Sequence, residues 1–367
     1  MKVNGKQYRS LWWNAEQAVL EIIDQRSLPY EFVTQPVATM QDFADAIVEM
    51  RVRGAPLIGA TAAYGMALAM AQDPSDANMD KAWEDLNATR PTAINLRWAL
   101  NRCREALRPL APNARAAAAL ELAHHIADED VEINRRIGEN GLALIREIAA
   151  KKPAGEPVHL LTHCNAGWIA TVDWGTATSP MYHAHDAGID LHVWVDETRP
   201  RNQGALTSWE LGSHGVPHTY VTDNAGGHLM QHGLVDMVIT GTDRTSRSGD
   251  VCNKIGTYLK ALAAHDNGVP FYVALPSPTI DWTVSDGVAS IPIEERDARE
   301  TTHIQGTTED GTLGVVQVTP DGTPGGNPAF DVTPNRLVTG LITERGVCDA
   351  SPQGLAGLFP EMAAAAE

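Results

Sequence analysis

The sequence predicts an α/β protein with a mainly helical first part and a second part built on a parallel sheet. After a short β start, the apolar residues of the first part recur at helical intervals. Beyond residue 157, apolar strand-like runs alternate with helical segments, which is the pattern of parallel βα crossovers. Between these parts, KKPAGEP at 151–157 has the Pro and Gly of a linker. We therefore expect two domains, 1–150 and 151–367.

The charge balance restricts the class of partner. The formal net charge is −18, and no basic stripe offsets it. A nucleic acid is therefore not an expected partner. A small phosphorylated substrate remains possible, because a few local Arg and Lys side chains are enough to bind it.

Neither a membrane span nor a secretory signal is predicted. The most apolar stretch, 57–71, is shorter than the ~20 residues that a membrane span needs, and the first residues lack the apolar segment of a signal peptide. The spacing of the cysteines matches neither a metal site nor a disulfide-rich domain. They are Cys103, Cys164, Cys252 and Cys348. We therefore expect a reduced, cytoplasmic protein.

In the first part, we expect a strand at 19–24 and helices at 42–50 and 56–71. Pro56 favours the first turn of a helix, and the small residues Gly54 and Ala55 let backbone N–H groups approach a ligand closely. Arg53 precedes them. A simple turn between two helices is the alternative interpretation of this RGAP segment.

Two more helical stretches complete the first part. Arg90 stands before a helix that contains Leu96 and Trp98, and it is either a phosphate ligand or a solvated side chain. The Ala-rich stretch 114–150 has apolar residues at helical intervals, and we expect two helices there, broken near Gly138 or Gly141.

In the second part, polar and reactive residues follow directly after each predicted strand. The strands are expected at 158–162, 191–195, 218–221, 235–240 and 270–274. The residues that follow them include His163, Cys164, Asn165, Asp196, Glu197, Asp223, Asp243 and Ser277. Ligands bind in the crevice at the carboxyl ends of parallel strands. The pattern therefore favours a catalytic crevice over a purely structural domain.

The stretch 235–256 is central to this prediction. Asp243 follows a buried strand, so it is a candidate acid or base, although a loop ion pair between Asp243 and Arg244 explains it equally well. Because adjacent residues of an extended segment project oppositely, we expect Arg244 to face away from the site. A helix is expected to begin near residue 251, and its first turn would then present Asn253 and Lys254 to a phosphate or hydroxyl group.

Cofactor and metal motifs are not found. The sequence contains neither GxGxxG nor a Walker A motif, so no nucleotide cofactor is predicted. His183 and His185 stand two residues apart in a predicted helix and therefore point to different faces, which argues against a metal pair.

Eight collinear segments carry a family resemblance. They are RGAPLIGATAAYG (53–65), RPTAINLRWAL (90–100), LTHCNAG (161–167), DETRPRNQG (196–204), GTDRTSRSGDVCNKIGTY (241–258), PFYVALPSPTID (270–281), IPIEERD (291–297) and NPAFDVTP (327–334). Together they resemble the signature segments of the methylthioribose-1-phosphate isomerases. The resemblance implies a helical N-terminal domain, a Rossmann-like C-terminal domain without a dinucleotide or other cofactor, and a homodimer. It also implies conversion of 5-methylthioribose 1-phosphate to 5-methylthioribulose 1-phosphate in methionine salvage.

The resemblance also assigns roles to residues. Cys164 matches the family's catalytic cysteine, and Asp243 matches its catalytic aspartate. Seven residues match substrate-binding positions: Arg53, Gly54, Ala55, Arg90, Gln203, Asn253 and Lys254. The chain departs from the family at Trp168, Thr242, Arg247 and Cys252, and it is one residue shorter after Gly204. These departures surround the expected site, so they affect the group accepted at the sugar's C5 more than the chemistry.

A mechanism follows from the substrate class. An aldose with phosphate on its anomeric oxygen has no free aldehyde, so the ring must open with the phosphate attached. We expect Asp243 to protonate the ring oxygen, which requires a raised pKa. Cys164 is expected either to move a proton from C2 to C1 as a thiolate or to stabilise charge during a hydride shift.

Two rival functions remain. Ribose 1,5-bisphosphate, which would need a second cationic cluster, or 5-deoxyribose 1-phosphate is the first alternative substrate. The second rival is a non-catalytic regulatory protein, because the regulatory subunits of the translation-initiation-factor exchange complex share the architecture that the resemblance implies.

Overall fold

The computed structural model describes residues 1–90 and 93–365. Pro91 and Thr92, within the segment 90–100, lie outside the described residues. Five short strands open the chain: β1 to β5 are Lys2–Val3, Lys6–Gln7, Leu11–Asn14, Val19–Ile23 and Thr34–Val37. Five helices follow: α1 to α5 are Met40–Val48, Ala55–Gln72, Asp76–Thr89, Ile94–Leu107 and Pro112–Ala149. The predicted helical first part is therefore present.

Helix α2 is the centre of the first core. Nearly all of its side chains are buried, including Leu57, Ile58 and Met66, and α3, α4 and α5 pack around it. A helix that is apolar all round is stable only inside such a bundle. Ala residues such as Ala62 and Ala63 let neighbouring helices approach it closely.

The second part alternates strands and helices. In chain order the strands β6 to β12 are Val158–His163, Leu191–Asp196, His218–Val221, Met237–Thr240, Arg244–Ser246, Val251–Lys254 and Phe271–Ala274. The helices among them, α6 to α9, are Ser179–Asp186, Gln203–His214, Gly226–Gln231 and Thr257–Asp266. The strands β13 to β18 are Ile280–Asp281, His303–Thr307, Leu313–Gln317, Phe330–Thr333, Gly340–Thr343 and Gly346–Cys348. The remaining helices, α10 to α13, are Gly287–Ser290, Arg299–Thr302, Pro352–Leu358 and Pro360–Ala365.

The main sheet has seven strands in the spatial order β8-β7-β6-β9-β12-β17-β18. All neighbours are parallel except β17 and β18. Numbered by their position in the chain, the six parallel strands have the order 3-2-1-4-5-6, which is that of a doubly wound sheet. The predicted α/β class is therefore confirmed. The strand order reverses between β6 and β9, where such folds bind their ligands.

A smaller sheet stands beside the main one and corrects a prediction. Its order is β13-β10-β11-β16. The segment Val251–Lys254, which we expected to begin a helix, is strand β11 of this sheet. Its residues are buried and pair with β16, more than 70 positions later in the chain, so burial between two strands decides their conformation. The helix begins only at Thr257, after Gly256 adopts a left-handed φ of 98°.

Helix α5 corrects a second prediction. It is one continuous helix of 38 residues and has no break at Gly138 or Gly141. At Gly138 an added Cβ would lie 2.3 Å from the hydroxyl of Ser179, and at Gly141 it would lie 2.4 Å from Pro180. The two glycines therefore allow α6 to pack directly on the α5 backbone, and this packing offsets their low helix propensity.

The two ends of α5 belong to different cores. Ala119, Ala123 and Ile126 pack with α2 in the first core, whereas Ile137 and Ile145 pack with strands of the main sheet. In residues 1–90 and 93–365, no helix has both the length and the apolar character that a membrane crossing requires.

Candidate active site

The strand-order reversal brings together the two residues expected to do chemistry. Strands β6 and β9 are neighbours, with Leu160 opposite Met237 and Leu161 opposite Val238. Cys164 follows the end of β6, and Asp243 lies three residues beyond the end of β9. Neighbouring strands lie about 4.8 Å apart, so both residues stand at the same rim of the sheet.

One cavity at this rim contains every residue that the sequence predicted for the site. Its volume is about 70 Å³, and two further cavities share lining residues with it. Its lining includes Arg53, Gly54, Ala55, Arg90, Cys164, Gln203, Asp243, Asn253 and Lys254. The helical part and the sheet part thus both contribute to it.

Cys164 is held in an uncommon backbone conformation. Its φ is 68°, in the left-handed region that non-glycine residues rarely adopt. The side-chain oxygen of Thr198 accepts a hydrogen bond from its N–H (2.8 Å), and its carbonyl accepts one from the hydroxyl of Thr207 (2.8 Å). Burial raises the pKa of the thiol to about 11, against the lowering effect of the charges of Lys254 and Arg53. The group is therefore a neutral thiol at neutral pH.

Asp243 is fixed through its backbone. Its N–H donates to the carbonyl of Cys252 (3.0 Å), and the hydroxyl of Thr242 donates to the same carbonyl (2.8 Å). Burial raises the pKa of Asp243 above its ordinary value, and the charges of Lys254, Arg90 and Arg53 oppose this rise. The environment thus favours the protonated acid. Two departures from the family, Thr242 and Cys252, help to hold the backbone of this residue.

Arg244 is paired away from Asp243. Its guanidinium lies 3.5 Å from the carboxylate of Asp281. Arg244 begins strand β10, and Asp281 lies on the neighbouring strand β13, opposite Ser246. This arrangement disfavours the loop ion pair between Asp243 and Arg244 that was the alternative interpretation.

Strand β11 supplies the cation of the sheet part. Lys254 is buried, and its Nζ lies 4.4 Å from the ring centre of Phe330, which is opposite it on β16. Its charge lowers the pKa of both Cys164 and Asp243, so it acts on both groups. The neighbouring Asn253 donates from Nδ2 to the hydroxyl of Thr257 (3.0 Å).

The helical part supplies two arginines and a helix N-terminus. Arg53 is only 8% exposed, and its Nη2 donates to Oδ1 of Asn165 (2.8 Å). Its Nε is buried and has no hydrogen-bond partner among the described residues. Arg90 lies 3.6 Å from Glu294. Helix α2 begins at Ala55, after Gly54 at a φ of 95°, and its free N–H groups favour an anion.

A second helix N-terminus faces the cavity. Gln203 is the first residue of α7, and it follows Asn202, which has a left-handed φ of 54°. Its Oε1 is buried and, within the described part of the chain, has no hydrogen-bond partner. Buried polar groups of this kind are uncommon. Gln203 and Arg53 both line the cavity, so a polar ligand there can satisfy Gln203 Oε1 and Arg53 Nε.

An apolar cavity adjoins the site. It shares Ala55, Arg90, Asp243 and Phe330 with the site cavity. Its other lining residues are Ile58, Ala93, Arg244, Cys252, Ile291 and Pro292. A third, wider cavity meets the site at Met50, Arg53 and Gln203. Arg247, a further departure, does not belong to the described lining of any of these three cavities.

Sequence reasoning missed several residues that support the site. Asn165 was noted only as a polar residue after a strand, although it is the hydrogen-bond partner of Arg53. Glu210 on α7 is fully buried near Arg53, and burial raises its pKa to about 8. Its spacing of seven residues from Gln203 places both on one face of a helix, and this signal was available from the sequence.

The arrangement combines a buried thiol, a carboxyl group whose pKa burial raises, and the basic side chains of Arg53, Arg90 and Lys254 around one small cavity. Such a set suits proton transfer on an anionic substrate. Within residues 1–90 and 93–365, no group of three or more His, Cys, Asp or Glu side chains is arranged to bind a metal ion.

The chain is similar to known proteins along most of its length. The profile of the Initiation factor 2 subunit family matches residues 51–350. A methylthioribose-1-phosphate isomerase of Brucella anthropi is 66% identical over 362 residues, which cover 98% of this chain and all of that one. The crystal structure of 5-methylthioribose 1-phosphate isomerase from Pyrococcus horikoshii is 38% identical, with a TM-score of 0.81 and 97% of each chain covered. The structure of translation initiation factor eIF-2B subunit delta from A. fulgidus is also 38% identical, with a TM-score of 0.77 over 96% of this chain and all of that one.

Proposed function

This chain belongs to the methylthioribose-1-phosphate isomerases of the Initiation factor 2 subunit family, and we propose on that premise that its cavity converts 5-methylthioribose 1-phosphate to 5-methylthioribulose 1-phosphate. The reaction is the aldose–ketose isomerisation of methionine salvage. The observation that carries the assignment of the site is the presence of Cys164 and Asp243 in one cavity with Arg53 and Lys254.

Ring opening is the first step that the site must perform. The protonated carboxyl of Asp243 donates its proton to the ring oxygen while the bond between C1 and that oxygen breaks. The electron pair of the bond stays on the ring oxygen, and C1 shares the resulting positive charge with its phosphate oxygen. Asp243 becomes a carboxylate. The raised pKa of Asp243 supports this role, because an acid must hold its proton before the reaction.

A hydride shift completes the isomerisation. The hydrogen on C2 moves with its electron pair to C1, the C2 hydroxyl becomes a carbonyl, and its proton returns to Asp243. The enzyme is thereby restored. Cys164 contributes a neutral, polarisable sulfur that lies against the positive centre and excludes water. A pKa of about 11 supports this role over that of a thiolate base.

The phosphate is bound by the cations and helix N-termini of the cavity. Arg53 and Lys254 supply charge, and the first turns of α2 and α7 supply N–H donors. The apolar cavity beside Asp243 accepts the methylthio group at C5. Ile58, Ile291 and Phe330 of its lining support an apolar substituent there, although Arg90 and Arg244 also line it.

Incubation of the purified protein with 5-methylthioribose 1-phosphate, followed by NMR, tests the function. We expect the ketose to form, and we expect ribose 1,5-bisphosphate to remain unchanged. Conversion of 5-deoxyribose 1-phosphate would widen the accepted C5 group. A protein that converts none of the three sugars would instead support the non-catalytic regulatory alternative; the A. fulgidus relative is named a translation initiation factor subunit.

The same reaction in D2O tests the hydride shift. We expect both hydrogens at C1 of the product to be protium, because a hydrogen transferred as hydride does not exchange with solvent. Deuterium at C1 would show proton transfer through an enediol-like intermediate and would make Cys164 the base.

The proposal includes the organisation of the protein. The chain forms a homodimer in the cytoplasm, with a helical domain at 1–150 and a Rossmann-like catalytic domain at 151–367. Family resemblance and the spacing of the cysteines support these points. Light scattering on the purified protein measures the dimer directly, and a monomer mass would contradict it.

A further inference from the structure

Glu210 is a buried carboxyl group that the reaction does not use directly. It lies on the same face of α7 as Gln203 and Thr207, and its exposed fraction is 0%. Its Oε1 accepts a hydrogen bond from the N–H of Ile169 (2.8 Å). Its Oε2 has no hydrogen-bond partner among the described residues. A single Glu is rarely buried without a paired charge, so its place here needs an explanation.

The carboxyl of Glu210 packs against the loop that follows Cys164. A Cβ added to Gly167 would lie 1.5 Å from Oε2 of Glu210, so only glycine allows this contact. The hydrogen bond to Ile169 holds the same loop two residues farther on. Glu210 therefore fixes the path of the chain that begins at the catalytic thiol.

Asn165 connects this loop to Arg53. Its Oδ1 accepts from Nη2 of Arg53 (2.8 Å), and its Nδ2 donates to the hydroxyl of Thr207 (3.0 Å). The side chain of Asn165 and the charge of Arg53 also act on the carboxyl of Glu210. The orientation of the buried guanidinium thus depends on a loop that Glu210 holds from beneath.

The charge of Glu210 matters because it competes with the substrate. An ionised carboxylate beside Arg53 would attract the guanidinium that the sugar phosphate needs. The titratable and charged groups facing Glu210 are Arg53 and Tyr182 of α6. Burial raises the pKa of Glu210 to about 8 despite Arg53, and burial also raises the pKa of Tyr182, so both are neutral at neutral pH.

We propose that Glu210 is a positioning residue of the isomerase, which as a neutral carboxylic acid fixes the loop at 164–169 and leaves the charge of Arg53 to the substrate's phosphate. The inference rests on the proposed function, because it takes the anion at Arg53 to be the sugar phosphate.

Steady-state kinetics of Glu210→Gln and Glu210→Ala test this role. Gln keeps the shape of the neutral acid but cannot ionise. We expect the KM of Glu210→Gln at neutral pH to stay within about 3-fold of that of the unmodified protein. Ionisation of Glu210 should raise the KM of the unmodified protein at alkaline pH, and we expect this rise to be absent in the variant. Ala removes the support of the loop, so we expect KM to rise roughly 10- to 100-fold, with a smaller loss in kcat.

Asp130→Asn is the matched control. Asp130 on α5 also accepts a backbone N–H, that of Val172 (2.7 Å), and burial raises its pKa to about 7. It does not line the site cavity, so we expect its KM profile to equal that of the unmodified protein. Identical KM–pH profiles for Glu210→Gln and the unmodified protein would overturn the proposal. A loss of about 100-fold in kcat for a folded Glu210→Gln would also overturn it, because the acid would then act in the chemistry.

Thermal unfolding against pH gives a second readout that needs no turnover. The folded pKa of Glu210 is raised from 4.5 to about 8, so its contribution to stability is complete below 4.5 and is lost as the pH rises through 8. We therefore expect Glu210→Gln to gain Tm relative to the unmodified protein across this window. A Tm difference that does not change with pH would contradict the proposal that Glu210 is a neutral acid. If the Tm difference between the two proteins varies with pH as expected but the unmodified protein has no turnover, the proposed function is refuted. The conclusion that Glu210 is neutral would still hold.

Discussion

The helical part and the sheet part contribute different chemistry to one cavity. The helical part supplies Arg53, Arg90 and the N-terminus of α2, which bind charge. The sheet part supplies Cys164 and Asp243, which stand after neighbouring strands and face the reacting carbons under the proposed mechanism. The difference teaches that both reacting groups stand in the sheet layer, whereas the helical layer supplies only binding groups; Lys254 and Gln203 of the sheet layer add to the binding. Substitutions in the helical layer should therefore change KM, and substitutions of the two reacting groups should change kcat.

The largest effect is expected at the reacting groups. We expect Asp243→Asn and Cys164→Ala each to lower kcat by roughly 10²- to 10⁴-fold, because each removes a group that acts in the transition state. KM and Tm should change little, since both variants keep the shape of the cavity. Steady-state kinetics and a thermal melt check this. Cys348→Ala, at a half-buried thiol outside the cavity, is the control. Near-normal turnover in either variant would refute the division between the layers.

The next largest effect is expected at Arg53. Removal of its side chain in Arg53→Ala deletes charge-assisted hydrogen bonds, each worth about 1.5–3 kcal/mol, and should raise KM by roughly 10- to 100-fold. The kcat should fall much less. Arg53→Lys should restore only part of the affinity, because Lys lacks the planar fork of donors. Arg136→Ala, at an exposed residue of α5, is the control. A loss confined to kcat would place Arg53 in the chemistry and break the comparison.

Lys254 sharpens the comparison because it is a cation that belongs to the sheet part. Its charge lowers the pKa of both Cys164 and Asp243. The substitution Lys254→Met should therefore raise both pKa values. Alkylation of Cys164 by iodoacetamide, followed by peptide mass spectrometry, reports the thiolate. We expect slow alkylation at neutral pH that rises toward pH 11 in the unmodified protein, and a midpoint at higher pH in Lys254→Met. A midpoint near neutral pH would contradict the neutral thiol.

The sequence predicted five of the seven strands of the main sheet, all except β17 and β18, because these five carry local information. Buried runs of apolar residues such as Met237–Thr240 are interrupted sharply by polar rim residues, so the strands and the residues after them could be located within a few positions. Cys164 and Asp243 meet for the same reason, since parallel strands end at one edge. Arg53 and Arg90 reach the cavity from the helical part, and Asn253 and Lys254 reach it from the smaller sheet.

The errors arose where distant contacts decide the local structure. Gly138 and Gly141 predict a helix break by propensity, but the contact with α6 that keeps α5 continuous lies about 40 residues away. Likewise, Asn253 and Lys254 are in a strand because β16 covers them. Glu210 went unnoticed because a Glu on an amphipathic helix ordinarily faces water.

The unbroken α5 has a mechanical consequence. A helix of 38 residues is about 57 Å long, and its two ends are embedded in separate cores. Because one rigid helix packs in both cores, we expect Arg53 and Arg90 to keep a fixed distance from Cys164 and Asp243. Substrate entry and product release must then depend on side chains and short loops around Met50 and Gln203, where the wider cavity meets the site.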